Sequence, residues 1–362
     1  MINRNEGRAV VCVLLAVMAV VAAAHNDLPW NIRKFLRNQI NEFELDTDLT
    51  QVEPWSISKY SHTDLPRLRE GMVGAQFWSA FVPCATQNKD AVQLTLEQID
   101  VIRRLVDKYP QHLQLATSVT VYDNIYFKTG ILEAHSARPR KIASLIGIEG
   151  GHSIGNSLGI LRSYYQLGVR YMTLTHTCNT PWKIDQNARP SELNLTKYKF
   201  SFKSMNYKKV VREMNRLGML VDLSHVGENT TRAAIRLSKA PVMFSHSSVY
   251  SLCPHKRNVP DDIIQSMKEN GGLIMVNFFP DFVKCAPNAT LSDVAVPRGL
   301  EDVSKYPELF AELLRSGQWS VQELKNLAGL NMLRVMRQVE KERLNKLTKE
   351  RLGGHVIICT SF

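Results

Sequence analysis

The sequence predicts an α/β fold, a TIM-like (β/α) barrel that lacks its eighth strand unit. Three observations predict it. Short apolar, β-rich runs alternate with helical patterns through most of the 362 residues, the pattern of a parallel sheet with crossover helices. Several runs end on a His or a Glu, and side chains at the carboxyl ends of successive barrel strands converge on one face. A chain of this length can bury the core of one large barrel.

In chain order, strands are expected at 72–82, 142–148, 171–175, 219–224, 242–245 and 273–279. Helices are expected between them at 95–108, 157–166, 207–217 and 261–269. Two further helical patterns, 306–314 and 321–340, have no strand between them. Residues 181–202 show no clear period and are rich in Lys, Asn and Ser, which reads as a long loop near the mouth of a site. After Asn277-Phe278-Phe279 only the polar passage 285–296 precedes Pro297-Arg298-Gly299-Leu300-Glu301-Asp302. A crossover takes about a dozen residues before its strand is counted, so one unit is missing and unpaired edges should follow.

The composition, 44% hydrophobic and 22% charged, is that of a folded globular protein. The formal charge of +11 would suit an anionic partner, but the basic residues are spread along the chain and dense only at 197–216 and 341–351. A solvated basic surface is the reading, with no nucleic acid as partner. Arg4 and Arg8 precede an apolar run over 9–24 that closes in Ala22-Ala23-Ala24. Residues 1–24 therefore read as a hydrophobic leader, a signal peptide in preference to an anchor, because the run is shorter than the ~20 residues of a membrane span. The domain division that follows is leader 1–24, barrel 25–340 and basic C-terminal tail 341–362. Sequons at Asn194, Asn229 and Asn288 agree with passage through the secretory pathway to the cell surface or beyond. Outside the leader stand Cys84, Cys178, Cys253, Cys285 and Cys359, with no C-x-x-C pair, which favours disulfides over a zinc knuckle and leaves one thiol over.

His25-Asn26-Asp27 places two donors on one side of a strand, where they could hold one cation together. The later runs end in Glu149, His176, His225 and His246. A lone His at a strand end is more often a hydrogen-bonded structural residue, and His62, His112, His135 and His255 are read that way. His152, in the glycine-rich turn after Glu149, reads as support for its neighbours. As a set, His25, Asp27, Glu149, His225 and His246 have the makings of a two-metal hydrolase site.

Several longer motifs resemble the membrane (renal) dipeptidases, zinc peptidases of the amidohydrolase-like barrel group. They are His25-Asn26-Asp27-Leu28-Pro29-Trp30, Gly74-Ala75-Gln76-Phe77-Trp78-Ser79, Ile148-Glu149-Gly150-Gly151-His152-Ser153 and Thr173-Leu174-Thr175-His176-Thr177-Cys178-Asn179-Thr180-Pro181-Trp182. Asp222-Leu223-Ser224-His225-Val226, Phe244-Ser245-His246-Ser247-Ser248 and Arg257-Asn258-Val259-Pro260-Asp261-Asp262 complete the set, which spans 25–340. The resemblance implies two Zn2+ ions, one held by His25 and Asp27, the second by His225 and His246, with Glu149 bridging. Two cations about 3.5–4 Å apart need negative charge between them, and together they acidify a shared water. His176 would hold substrate and stabilise the oxyanion, and Arg257 would clamp the terminal carboxylate of a dipeptide two bonds at a time. Cys84 with Cys178, and Cys253 with Cys285, match the family's disulfides. Membrane association through the N-terminal segment and a homodimer are compatible with the family.

The chain also departs from it. In the family the passage after 285 carries a Gly-Asp-Phe-Asp-Gly type motif whose first Asp shuttles the proton to the leaving amine, and no residue of this chain matches it. Loss of such a group costs about 10²–10⁴ in rate. The family's first strand runs into the His-x-Asp pair, yet here residues 19–24 belong to the leader and cannot be both. Cleavage after Ala24 would leave His25 terminal; retention would tether the site to the bilayer. Val356-Ile357-Ile358-Cys359 is too short for a lipid-anchor signal and could instead supply a stray edge strand. Zinc-dependent dipeptide hydrolysis is thus the expectation, and a catalytically silent exported or membrane-associated variant the alternative.

Overall fold

In the computed structural model, which describes residues 21–125, 141–180, 207–285 and 302–353, the apolar runs form one curled parallel sheet. Its strands are β1 (Val21–Asn26), β2 (Val73–Phe81), β3 (Leu113–Leu115), β4 (Ile142–Glu149), β5 (Val169–Thr173), β6 (Leu220–Asp222), β7 (Met243–Ser247) and β8 (Leu273–Val276). The path runs β1-β2-β4-β5-β6-β7-β8, with the short β3 paired to β4 outside it. The curl brings the rings of His25 on β1 and His246 on β7 to 4.4 Å, although four strands separate them along the path. Closure stops there. Among the described residues β1 pairs only with β2 and β8 only with β7, so the sheet stays open between β8 and β1. Every residue of β4 is buried, whereas β8 is half-exposed and Val276 is 44% exposed, as an edge strand must be.

Helices α1 (Leu28–Leu36), α2 (Leu65–Glu70), α3 (Ala91–Lys108), α4 (Val119–Asp123), α5 (Leu158–Gln166), α6 (Tyr207–Leu217), α7 (Glu228–Leu237), α8 (Asp261–Asn270) and α9 (Pro280–Val283) lie between or after the strands. Then come α10 (Tyr306–Arg315), α11 (Val321–Lys325) and α12 (Asn331–Gly353). Local chemistry sets several of their starts: Asp64, Ser118 and Ser157 accept from the first turns of α2, α4 and α5, and Ser320 closes a capping box on α11. Ile99, Ile102, Leu105 and Val106 form the buried stripe that seats α3 on the sheet.

The strand period of two divides the core. On β4, Ile142, Ile146 and Ile148 pack outward under the helices, while Ala143 and Leu145 face the barrel interior with Phe77, Tyr171, Leu220 and Met243. Glu149 is in phase with the inward set. Met332, Leu333, Val335, Met336 and Val339 of α12 join this inner cluster and plug it from below.

Several expectations are corrected. The first strand overlaps the expected leader: Val21, Ala22 and Ala23 pair with Val73, Ala75 and Gln76. The expected boundary at 340 falls inside α12, where Glu340 accepts from the Val119 amide and Arg343 donates to the Tyr165 hydroxyl at 3.2 Å. The single helix expected at 321–340 is interrupted by a π-helical turn, Asn326–Leu330, and the last strand ends at Val276, not 279. No helix among the described residues is long and apolar enough to cross a membrane. Residues 181–202 and 356–359 lie outside the described residues.

Candidate metal centre

The site forms at the carboxyl ends of the strands. Glu149 ends β4, Asp27 follows β1, His176 and His225 each lie three residues past β5 and β6, and His246 sits in β7. Strand register is irregular between Ala23 and His25 and between Phe244 and Ser247, which re-aims His25 and His246 toward the interior. His225 adopts a left-handed φ of 64°, uncommon for a non-glycine residue and a mark of functional sites. Gly150 has φ 109°, and a Cβ there would lie 2.5 Å from the His152 ring, so only glycine carries the chain past Glu149.

Glu149 is the hub. Its Oε1 lies 2.9 Å from His225 Nε2, 3.2 Å from His246 Nε2 and 3.6 Å from His176 Nε2, and its Oε2 lies 3.4 Å from His25 Nε2. Asp27 Oδ1 is 3.0 Å from His25 Nε2. Two donor clusters result, His25 with Glu149 and His246, and Glu149 with His176 and His225, each with its ligand atoms within 4.8 Å. Glu149 belongs to both, as a bridging carboxylate would. Within them His246 lies beside His25 and His176 beside His225, and across them His225 and His246 bring their Nε2 atoms to 2.9 Å.

The electrostatics fit a cation. Burial alone would lower the pKa of His25, but the Glu149 and Asp27 carboxylates hold it at about 9. Burial opposes ionisation of Glu149, yet the surrounding histidines keep its carboxyl well below the usual range. Burial pushes His225 down to about 3 and His246 well below its ordinary value, with Arg257 adding to both. Two neutral imidazoles thus bring their Nε2 atoms within 2.9 Å of each other and close to one carboxylate oxygen. That convergence of lone pairs has too few protons to satisfy it and is a donor set for a metal ion.

Arg257 is 8% exposed, donates from Nη2 to the His246 carbonyl at 3.1 Å, and lies over the Phe282 ring at 5.2 Å. His152 is held neutral, its pKa lowered to about 4 by burial, and its Nε2 donates to the Val82 carbonyl. Cys84–Cys178 and Cys253–Cys285 are disulfides; the first ties the end of β2 to the segment of His176. His152 also neighbours Cys84 and Cys178, but those sulfurs bond each other. Arg69 holds His112, and the Arg257 amide holds His255, while His135 is outside the described residues. Asn229 is exposed on the first turn of α7; Asn194 and Asn288 are outside the described residues.

A cavity of ≈1060 Å³ opens from the cluster past Arg257 and continues along the gap between β1 and β8 to Phe310 and Met332. Among its described lining residues Asp27 and Glu149 are the only carboxylates.

The residues that sequence reasoning missed lie one layer beneath. Asp222 accepts from the Ser224 and Ser245 amides at 3.1 and 2.8 Å, from the Ser245 hydroxyl at 2.7 Å, and from Thr173. Ser245 Oγ is 2.7 Å from His246 Nδ1, and the Tyr171 hydroxyl is 3.1 Å from His25 Nδ1. Gly147 makes room for Tyr171, because a Cβ there would lie 2.0 Å from its ring. The signal available was a carboxylate inside the apolar run Met219-Leu220-Val221-Asp222-Leu223.

The family described as "Membrane dipeptidase (Peptidase family M19)" matches residues 12–296 and 295–350, two stretches that meet at the polar passage after β8. Dipeptidase 3 of Mus musculus is 42% identical over 354 residues, covering 89% of this chain and 65% of its own length. The chain thus spans less than two thirds of that relative, and the aligned length exceeds the part of this chain it takes in, so the relative carries residues without a counterpart here. Dipeptidase aclJ of Aspergillus oryzae is 42% identical over 351 residues, covering 87% of this chain and 77% of its own length. A metallo peptidase from Rhodobacter sphaeroides, solved with a phosphinate mimic of the dipeptide L-Ala-D-Ala, shares the fold with a TM-score of 0.70 at 17% identity, over 88% of this chain and 99% of that one. The probable dipeptidase PvdM from Pseudomonas aeruginosa does so with a TM-score of 0.73 at 17% identity, over 92% and 99%.

Proposed function

Because the chain belongs to the membrane dipeptidase family, peptidase family M19, we propose that it is a zinc-dependent exopeptidase that hydrolyses dipeptides at the Glu149 cluster. The observation that carries this reading is one buried carboxylate shared by two donor clusters. His25, Asp27, Glu149, His225 and His246 would hold two Zn2+ ions, with His176 close enough to Glu149 to touch whatever binds there. Bound there, such ions polarise a scissile carbonyl and acidify a water toward neutral pH. The chain's own residues do the rest. Arg257, fixed by the His246 carbonyl and Phe282, presents its guanidinium to the C-terminal carboxylate of the substrate. His176, on the disulfide-braced segment, donates to the oxyanion. Two disulfides and an exposed sequon at Asn229 support a protein made in the secretory pathway and held at or beyond the cell surface.

A second reading, a catalytically silent variant that keeps its metal ligands, is favoured by two observations. Asp27 and Glu149 alone supply carboxylates to the described cavity wall, and the family match breaks at 295–296, after β8. Without a proton shuttle the rate falls by about 10²–10⁴. Metal analysis of wild type against Glu149→Gln tests the site, with equal zinc in both sinking the two-metal reading. Dipeptide hydrolysis separates the functions. An active enzyme loses orders of magnitude in His246→Ala, and in Arg257→Ala loses most on substrates with a free C-terminal carboxylate; a silent one shows no difference.

A further inference from the structure

Beneath the cluster, one buried carboxylate reaches a candidate ligand on another strand through a single hydroxyl. Asp222 ends β6, is fully buried, and faces the barrel interior between Thr173 on β5 and Ser245 on β7. Its Oδ1 takes two backbone amides, which can only donate. Its Oδ2 takes the Ser245 hydroxyl at 2.7 Å. A carboxylate offers only acceptors, so the Ser245 proton must point at Asp222. Ser245 Oγ is then left with lone pairs. His246 Nδ1, 2.7 Å from it, must therefore carry a proton and donate. The His246 imidazole, with its proton on Nδ1, is left with a bare Nε2 facing Glu149.

We propose that Asp222 is a positioning residue of the metal centre, which acts through Ser245 to fix the proton of His246 on Nδ1 and so directs its Nε2 lone pair at the metal. This rests on the reading that His246 is a ligand. Partners of this kind set the tautomer and orientation of a ligating histidine, and their loss typically weakens metal binding by about 10–100-fold. His225 provides the contrast, because its Nδ1 is buried without a hydrogen-bond partner among the described residues. Asp222 thus governs His246 and not His225.

Asp222→Asn separates this role from packing. The amide keeps the shape but can donate to Ser245, which then turns its own proton toward His246 and drives the imidazole proton to Nε2. Zinc affinity of the full chain is read by competition with a chelator, and the His246 tautomer of the metal-free protein by 15N NMR of labelled histidine. Wild type should show Nδ1–H at His246. Asp222→Asn should show Nε2–H and bind zinc 10–100-fold more weakly. Ser245→Ala should weaken zinc comparably, and adding Asp222→Asn to it should cause little further loss, because both act on one path. Fully additive losses overturn the proposal, and so does weaker zinc in Asp222→Asn with an unchanged tautomer, which would leave Asp222 a packing residue. If wild type binds no zinc, the two-metal reading fails; the tautomer switch alone then decides whether Asp222 sets the proton on His246.

Discussion

The metal-free protein should lose stability as pH rises from 6.5 to about 9, and His25 is the reason. In the folded protein the Glu149 and Asp27 carboxylates hold the His25 proton with a pKa of about 9, against 6.5 in the unfolded chain. Below pH 6.5 both states carry the proton and the stabilisation is fully present. Above that value the unfolded chain releases its proton first, so the advantage shrinks until the folded pKa is passed. At about 1.4 kcal/mol for each pH unit, the protonated pair contributes about 3 kcal/mol, a large part of the marginal stability of a domain. The acid side is governed by the opposite case: His225, pushed by burial to about 3, and His152, pushed to about 4, stay neutral in the fold, so stability also declines as pH falls below 6.5. Urea unfolding in chelator at pH 7, 8 and 9 should therefore show midpoints that fall across the series at constant slope. In Glu149→Gln burial of His25 is opposed by Asp27 alone, and the decline should largely vanish. A flat wild-type profile over this range, or the same decline in Glu149→Gln, would refute the assignment of that proton to His25.

Other outcomes follow from the same geometry. Zinc must displace the proton that His25 holds with a pKa of about 9, so binding at pH 7 should release a proton and its calorimetric heat should change with the ionisation enthalpy of the buffer; buffer-independent heat would contradict His25 as a ligand. Leu333 of α12 is fully buried in the inner cluster, and Leu333→Ala should lower unfolding free energy by about 2–5 kcal/mol; a loss under about 1 kcal/mol would show that α12 does not plug the barrel. The open edge at β8 should bind hydrophobic dye and promote association, and Val276→Lys should reduce both with zinc content unchanged; a monodisperse wild type that leaves the dye dark would mean the edge is covered.

What the sequence made legible depended on whether local pattern and tertiary role coincide. β4, buried on both faces, reads as a continuous apolar run, and its last residue, Glu149, is found at once. β1 is equally apolar, but Val-Ala repeats serve a leader and a buried strand alike; only pairing with β2 tells them apart. β3 is three residues long, too short for any period to register. α7 escapes because only Thr231, Ala234 and Ile235 of its ten residues are buried. The candidate ligands were visible because strand ends are visible. How they meet was not, since His246 reaches both His25 and His225 across the sheet and no spacing along the chain encodes those contacts. Tyr171, Ser245 and Asp222 were hidden for the same reason: each matters through a neighbour on another strand.

The open edge and the cluster are parts of one design problem. β1 is held by hydrogen bonds to β2 on one side and by none to a strand on the other among the described residues. Yet β1 carries His25, which meets Glu149 of β4 and His246 of β7 across the curl. A cation shared by these side chains would tie β1 to the far part of the sheet where no strand pairing does so. Because a metal that binds only the folded arrangement stabilises it by mass action, the edge strand and the cluster should stand or fall together. Such coupling gives the ligands a structural reason to be present that is independent of turnover. Retained ligands alone therefore cannot distinguish an active peptidase from a silent one, and the proton shuttle, not the metal, is where the two readings part.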